Sequence, residues 1–169
     1  MLKSLTKFLS LSYLFFICMN INAEYLKLTS DDVLKTPLPL PYNGVVYKES
    51  EVNFFLENAV KESRQPIVIF GGNWCPDCRI LDGTLKMPSI ESFLESHYRI
   101  LHIDVGRYDI NMNLMDYFGI AKEKGVPRVL VFDMSKNIIN SSTTKEWTTA
   151  RDRREQEIFN YFQDLVEKI

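Results

Sequence analysis

The apolar positions of this chain change spacing several times, and each change predicts a different element. Val52, Phe55, Leu56, Ala59 and Val60 recur at i, i+3 and i+4, which predicts a helix buried by one face, with Ser50 placed to cap it. Pro66 to Phe70 is a continuous apolar run, the pattern of a strand covered on both faces. A helix is predicted to follow Cys75, carrying Ile80 and Leu81 and weakened or bent at Gly83, and Pro88-Ser89 opens another with Ile90, Phe93 and Leu94 inward. Tyr98 to Val105 reads as the next strand. Asp109 can cap a short helix with Ile110, Leu114, Tyr117 and Phe118 inward, ending at Gly119. Val129 to Phe132 and Asn137 to Ile139 read as an antiparallel pair joined by a turn at Asp133 to Lys136, and Thr149 to Lys168 as a last helix burying Ile158, Phe162, Leu165 and Ile169.

Two segments before the first helix follow neither period. Lys3 and Lys7 precede an apolar stretch from Phe8 to Met19 that is short for a membrane span, and Ile21-Asn22-Ala23 resembles a cleavage site. Residues 1–23 are therefore expected to be a signal peptide, with the mature chain starting at Glu24 in a periplasm or outside the cell. Cys18 does not fit a lipoprotein signal, because bulky Ile17 precedes it. Residues 24–44 contain Thr36-Pro37-Leu38-Pro39-Leu40-Pro41, which can form neither helix nor central strand, and read as an extended arm. Val45 to Tyr47 is a candidate edge strand, and residues 45–169 form one domain. Strands alternating with helices imply an α/β fold, a central mixed β-sheet flanked by helices on both faces.

Composition adds little beyond an ordinary globular core: 46% of the residues are hydrophobic, and the net charge is −2. That balance gives no electrostatic case for nucleic acid, and the one dense basic cluster, Arg151, Arg153 and Arg154, reads as a solvated helix face. A monomer is expected.

The chemistry is concentrated in Trp74-Cys75-Pro76-Asp77-Cys78, directly after the apolar strand. If a helix starts at Cys75, positions i and i+3 share a face with Cβ atoms about 5–6 Å apart, which is close to disulfide geometry. Cys75 would then sit at the helix N-terminus, where unpaired N–H groups and the helix dipole favour a thiolate. Without the signal segment these are the chain's only cysteines, and a pair so close in sequence staples almost nothing. In an exported protein this points to a working disulfide.

The Trp-Cys-x-x-Cys element after a buried strand, with Gly125-Val126-Pro127 before a later strand, resembles the thioredoxin superfamily over roughly Val45 to Ile169. The resemblance implies that Cys75 attacks a client disulfide and that Cys78 resolves the mixed disulfide. It also implies a cis Pro127 facing the pair, with Val126 offering backbone groups to an extended client. Trp74, Pro76 and Arg128 would border the same groove, Arg128 favouring acidic partners if it is not simply solvated. No cofactor is implied. The implied partners are client proteins with disulfides and a membrane thiol reductase as electron donor.

Two departures from the family pattern stand out. Many thioredoxins carry a buried aspartate and a lysine where this chain has Ile69 and Ile100, so the usual proton acceptor for the resolving thiol is missing. Asp77 is the candidate substitute, and its charge is expected to raise the Cys75 pKa, favouring the disulfide form and a reductase. The other departure, Gly83 in place of a helix-kinking proline, bears on the backbone alone.

Other uses of the pair fit less well. Haem attachment needs histidine where Arg79 stands, and His97 and His102 are not spaced as zinc partners; His102 reads as ordinary strand packing. Nothing orients either histidine as the base of a cysteine protease. A disulfide-forming oxidase or isomerase is an open alternative, and so is a Cu(I) carrier using both thiols with Met87, Met112 or Met115.

Overall fold

A computed structural model describes residues 24–166. The expected signal peptide, Cys18 and Ile169 lie outside the described residues. Helix α1 (Glu49–Lys61) leads into β1 (Gln65–Gly71), followed by α2 (Pro76–Leu85), α3 (Pro88–His97), β2 (Tyr98–Asp104), α4 (Asn113–Tyr117), β3 (Arg128–Val131), a 3₁₀ segment (Glu146–Asp152) and α5 (Glu155–Leu165). The sheet order is β2-β1-β3. Strand β2 runs parallel to β1, with Ile69 opposite His102, and β3 runs antiparallel, with Phe70 opposite Arg128.

All seven residues of β1 are buried, as its unbroken apolar run requires. The alternation of a strand sends Ile67 and Ile69 into a core with Leu81, Leu85, Ile90, Phe159 and Phe162, the side of α2, α3 and α5. Val68 and Phe70 pack instead with Val52, Leu56, Leu114 and Met115, the side of α1 and α4. Helices therefore cover both faces of a mixed sheet, the architecture the sequence predicts.

Several local expectations differ from the structure. Val45 to Tyr47 forms no strand: the Tyr47 N–H and the Val45 carbonyl are taken by the Asn111 side chain. Helix α1 starts at Glu49 with Lys48 rather than Ser50 as its cap, and Glu51 reaches back to the Lys48 N–H at 2.7 Å. Asn137 to Ile139 contributes only the isolated bridge Phe132–Ile138. The last predicted helix is two pieces. Thr149 leaves helical geometry inside the 3₁₀ segment, and Arg153 and Arg154 are extended. Tyr117, expected inward, is exposed and bonds Asn53 through its hydroxyl.

Gly83 does not bend α2. It is the seat of the arm: a Cβ there would stand 2.7 Å from Leu34 Cδ1 and 3.1 Å from Leu38 Cδ2. Arg79 on the same helix donates to the carbonyls of Leu38 and Pro39, and Asp32 caps α3 by accepting from the Ser89 N–H at 2.8 Å. Segment 24–44 is thus irregular in backbone yet bound closely to α2 and α3.

Candidate redox site

Cys75 is the N-cap of α2, and Pro76 follows at the first helical position, where a missing N–H costs nothing. The Cys75 sulfur accepts from the Cys78 N–H at 3.3 Å, and the Cys75 thiol donates to the Val126 carbonyl at 3.4 Å. Both cysteines are free thiols. The Cys75 thiol is lowered to about 7, chiefly by the hydrogen bond from the Cys78 thiol, with the N–H groups of Cys78 and Asp77 adding to it. Burial and the Asp77 charge pull the other way. Cys78, 1% exposed, is held well above the usual thiol range, by burial first and then by its bond to Cys75. The two thiols are therefore unlike, as a nucleophile and a resolving partner must be.

Cys75 is not the exposed thiol that an attacking role suggests. It is 4% exposed, with its sulfur against the Val126 carbonyl, and Val126 and Pro127 are themselves buried. The Val126–Pro127 bond is cis. Gly125 precedes it at φ 114°, a backbone region that side chains disfavour. Trp74 is half-buried: its indole N–H donates to the Gly106 carbonyl, its ring meets Tyr108 edge-on at 5.5 Å, and the Arg107 guanidinium lies 5.0 Å over it. Pro76 is exposed beside it.

Asp77 and Arg128 depart from their sequence readings. Asp77 is 3% exposed and cannot face the solvent as a free charge. Its carboxylate accepts from the Arg151 backbone N–H at 3.0 Å and from the Arg151 guanidinium at 3.1 and 2.6 Å. Arg151 is therefore a counter-charge beside the cysteines even though its side chain stays solvent-exposed, and it engages both oxygens of Asp77. Arg153 also has partners, Glu146 and Glu157, and Arg154, though exposed, pairs with Glu157 as well. Arg128 faces neither client nor solvent. It is 1% exposed and donates to the carbonyls of Gly125, at 3.0 Å, and Ala121, at 3.3 Å, fixing the loop that leads to Pro127.

Sequence reading missed Arg151, Tyr42, Asp82 and His102. The one available signal was Asp82, a carboxylate between Leu81 and Leu85 on the inward side of its helix. In the structure His102 Nε2 lies 2.8 Å from Asp82 Oδ1, so His102 is not ordinary packing. Of the methionines raised for copper, Met87 packs in the cluster without the cysteines, and Met112 and Met115 pack in the one that holds them. No group of three or more His, Cys, Asp or Glu side chains placed to hold a metal ion occurs among the described residues.

No protein-family model matches the chain, and no curated protein matches it in sequence. Among solved structures, it is similar to a disulphide isomerase from Xylella fastidiosa Temecula1, at 28% identity and a TM-score of 0.69, over 77% of this chain and 99% of that one. The chain belongs to the thioredoxin superfamily. More remote likenesses are the germline-specific thioredoxin Deadhead of Drosophila melanogaster, 18% identical over 73% and 100% of the two chains with a TM-score of 0.48, and the C-terminal domain of DsbD from Neisseria meningitidis in its oxidised form, 19% identical over 65% and 100% with a TM-score of 0.41. Within the thioredoxin superfamily the chain falls among thiol–disulfide oxidoreductases.

Proposed function

We propose that this protein is an exported thiol–disulfide oxidoreductase that reduces protein disulfides through Cys75 and Cys78. The observation that carries the reading is the inequality of the two thiols: Cys75 is lowered to about 7 at a helix N-terminus, and Cys78 is buried behind it with a raised pKa. The Cys75 thiolate attacks a client disulfide, forms a Cys75–client bond and releases the first client thiolate. Cys78 then attacks the Cys75 sulfur, frees the second client thiol and leaves a Cys75–Cys78 disulfide. Two electrons have passed to the client, and a membrane thiol reductase returns them. Trp74, Pro76 and the Val126–Pro127 edge border the groove for the client.

Direction follows from how far the thiolate is stabilised. A thiol near 7 matches thioredoxin, whereas strong oxidants hold theirs near 3.5, and a modestly stabilised thiolate leaves the potential at the reducing end. Asp77, paired with Arg151, is not the free charge that would set this direction. Equilibration against glutathione is expected to give a potential near about −270 mV, and a value above about −150 mV overturns the reductase reading. Export is tested by mass spectrometry of the mature chain, which is expected to start at Glu24.

Isomerisation is the second reading, favoured by the name of the Xylella structure. The Cys78→Ala variant separates the two. It should retain rearrangement of scrambled disulfides if isomerisation is the role, and only accumulate mixed disulfides if net reduction is.

A further inference from the structure

Cys78 must lose a proton before it can attack, yet Ile69 and Ile100, at the two positions where many thioredoxins carry charged groups, offer no acceptor, and Asp77 is committed to Arg151. The polar side chain that comes up to the Cys78 sulfur from outside the motif is Tyr42: both residues pack in one cluster, and its hydroxyl and the sulfur approach the same point above Gly71. Tyr42 belongs to the arm and is held by Asn73 on both sides of its peptide: its N–H donates to Asn73 Oδ1 at 3.1 Å and its carbonyl accepts from Asn73 Nδ2 at 2.6 Å. The hydroxyl and the sulfur meet over the bare Cα of Gly71, where a Cβ would stand 2.9 Å from Cys78 Sγ and strike the end of the tyrosine ring.

Behind Tyr42 lies a second polar pair. The His102 ring meets the Tyr42 ring edge-on at 5.4 Å, and His102 Nε2 is 2.8 Å from Asp82 Oδ1, close enough for charge contact though not aligned as a hydrogen bond. Asp82 is one helical turn beyond Cys78 on the same face of α2. Asp82 and His102 both line a cleft of about 260 Å³, flanked by Arg64, Lys86, Glu91, Glu95 and Arg99. That is room for several waters at about 30 Å³ each. The ionisable groups acting on the Tyr42 hydroxyl are Cys78, Asp82 and Cys75.

Resting on the reading of Cys75 and Cys78 as a working dithiol, we propose that Tyr42 is a catalytic residue of the resolving step. Its hydroxyl donates to the Cys78 sulfur as the thiolate develops. The Asp82–His102 pair, a positioning element behind it, takes up the released proton and passes it to the cleft. The step balances: Cys78 loses one proton, the Cys78–Cys75 bond forms, the Cys75–client bond breaks, and the departing client thiolate takes a proton from solvent.

The test mixes fully reduced protein with glutathione disulfide, quenches in acid at intervals and counts species by mass across pH. Formation of the Cys75–glutathione adduct reads Cys75, and its decay to the internal disulfide reads Cys78. Tyr42→Phe should leave formation unchanged and slow decay about tenfold or more, the scale of a lost hydrogen bond to a charged group. Asp82→Asn should slow decay and move its pH dependence upward, again with formation unchanged. Should Asp82→Asn fail to fold, Tyr42→Phe, which removes a single oxygen, decides alone. Wild-type decay and pH profile in Tyr42→Phe overturns the proposal, and so does equal slowing of both phases, the mark of a merely structural role. A wild-type protein that forms the adduct and never resolves it overturns the dithiol reading instead.

Discussion

Asp77, in the first turn of α2, accepts three hydrogen bonds from one residue, Arg151, seventy-four positions further along the chain. The contact ties the 3₁₀ segment to the motif and sets a positive charge next to the carboxylate that flanks Cys75. The two variants should therefore move Cys75 in opposite directions. Arg151→Gln leaves the buried carboxylate without its counter-charge, raising the Cys75 pKa and lowering the unfolding midpoint. Asp77→Asn removes the charge that opposes the thiolate and should lower the Cys75 pKa, by up to about one unit if the opposing charge acts as such neighbours usually do. Iodoacetamide rates against pH check both.

The pH dependence of labelling has a defined sign. Cys75 is reactive as thiolate, so its alkylation rate should rise through a midpoint near 7, while Cys78 stays unlabelled in the folded protein. Because the largest cause of the lowering is the hydrogen bond from Cys78, Cys78→Ala should shift the midpoint upward. Equal labelling of both thiols in the wild type would remove the division of roles.

Arg128 should behave as a structural residue. Truncation to Ala leaves the carbonyls of Gly125 and Ala121 without their donor and opens a cavity, so stability in urea should fall by roughly 2–4 kcal/mol. Arg128→Lys should recover little, since an ammonium cannot reproduce the forked geometry. If Arg128→Ala instead retained stability and altered only the preference for acidic clients, the buried position would be refuted.

Gly83 offers a test of the arm. Replacing a helical glycine with a larger residue ordinarily gains helix propensity, at most about 1 kcal/mol. Gly83→Val puts branched carbons into Leu34 and Leu38, an overpacking that typically costs about 1–3 kcal/mol. The steric term should win, giving a less stable protein in which residues 24–44 are cut faster by limited proteolysis. Unchanged proteolysis would show that the arm is not seated there.

What the sequence disclosed was what depends on local pattern. The apolar run of β1, the N-cap position of Cys75 and the Val-Pro before β3 are each readable within a few residues, and together they determine the sheet and the cysteine pair. The partners of that pair were hidden because long-range contacts assemble them. Tyr42 comes from a proline-rich arm, Arg151 from a segment that looked solvated, and His102 from a strand where alternation suggested packing. Gly83 misled for a related reason: propensity describes a helix by itself, whereas the glycine answers to leucines some fifty positions earlier. Arg128 shows the converse, a charge that looks functional from its neighbour Pro127 yet serves the backbone of its own loop.

The cover over Cys75 has a consequence for which partners can react at all. With the Cys75 sulfur buried against the Val126 carbonyl, a client disulfide in the proposed reaction must present its sulfur along a narrow line of approach. A bridge pinned inside a rigid fold cannot make that turn, whereas one carried on slack chain can. For the proposed reductase, the burial of Cys75 would therefore sort clients by how loosely their bridges are held before any side chain is compared.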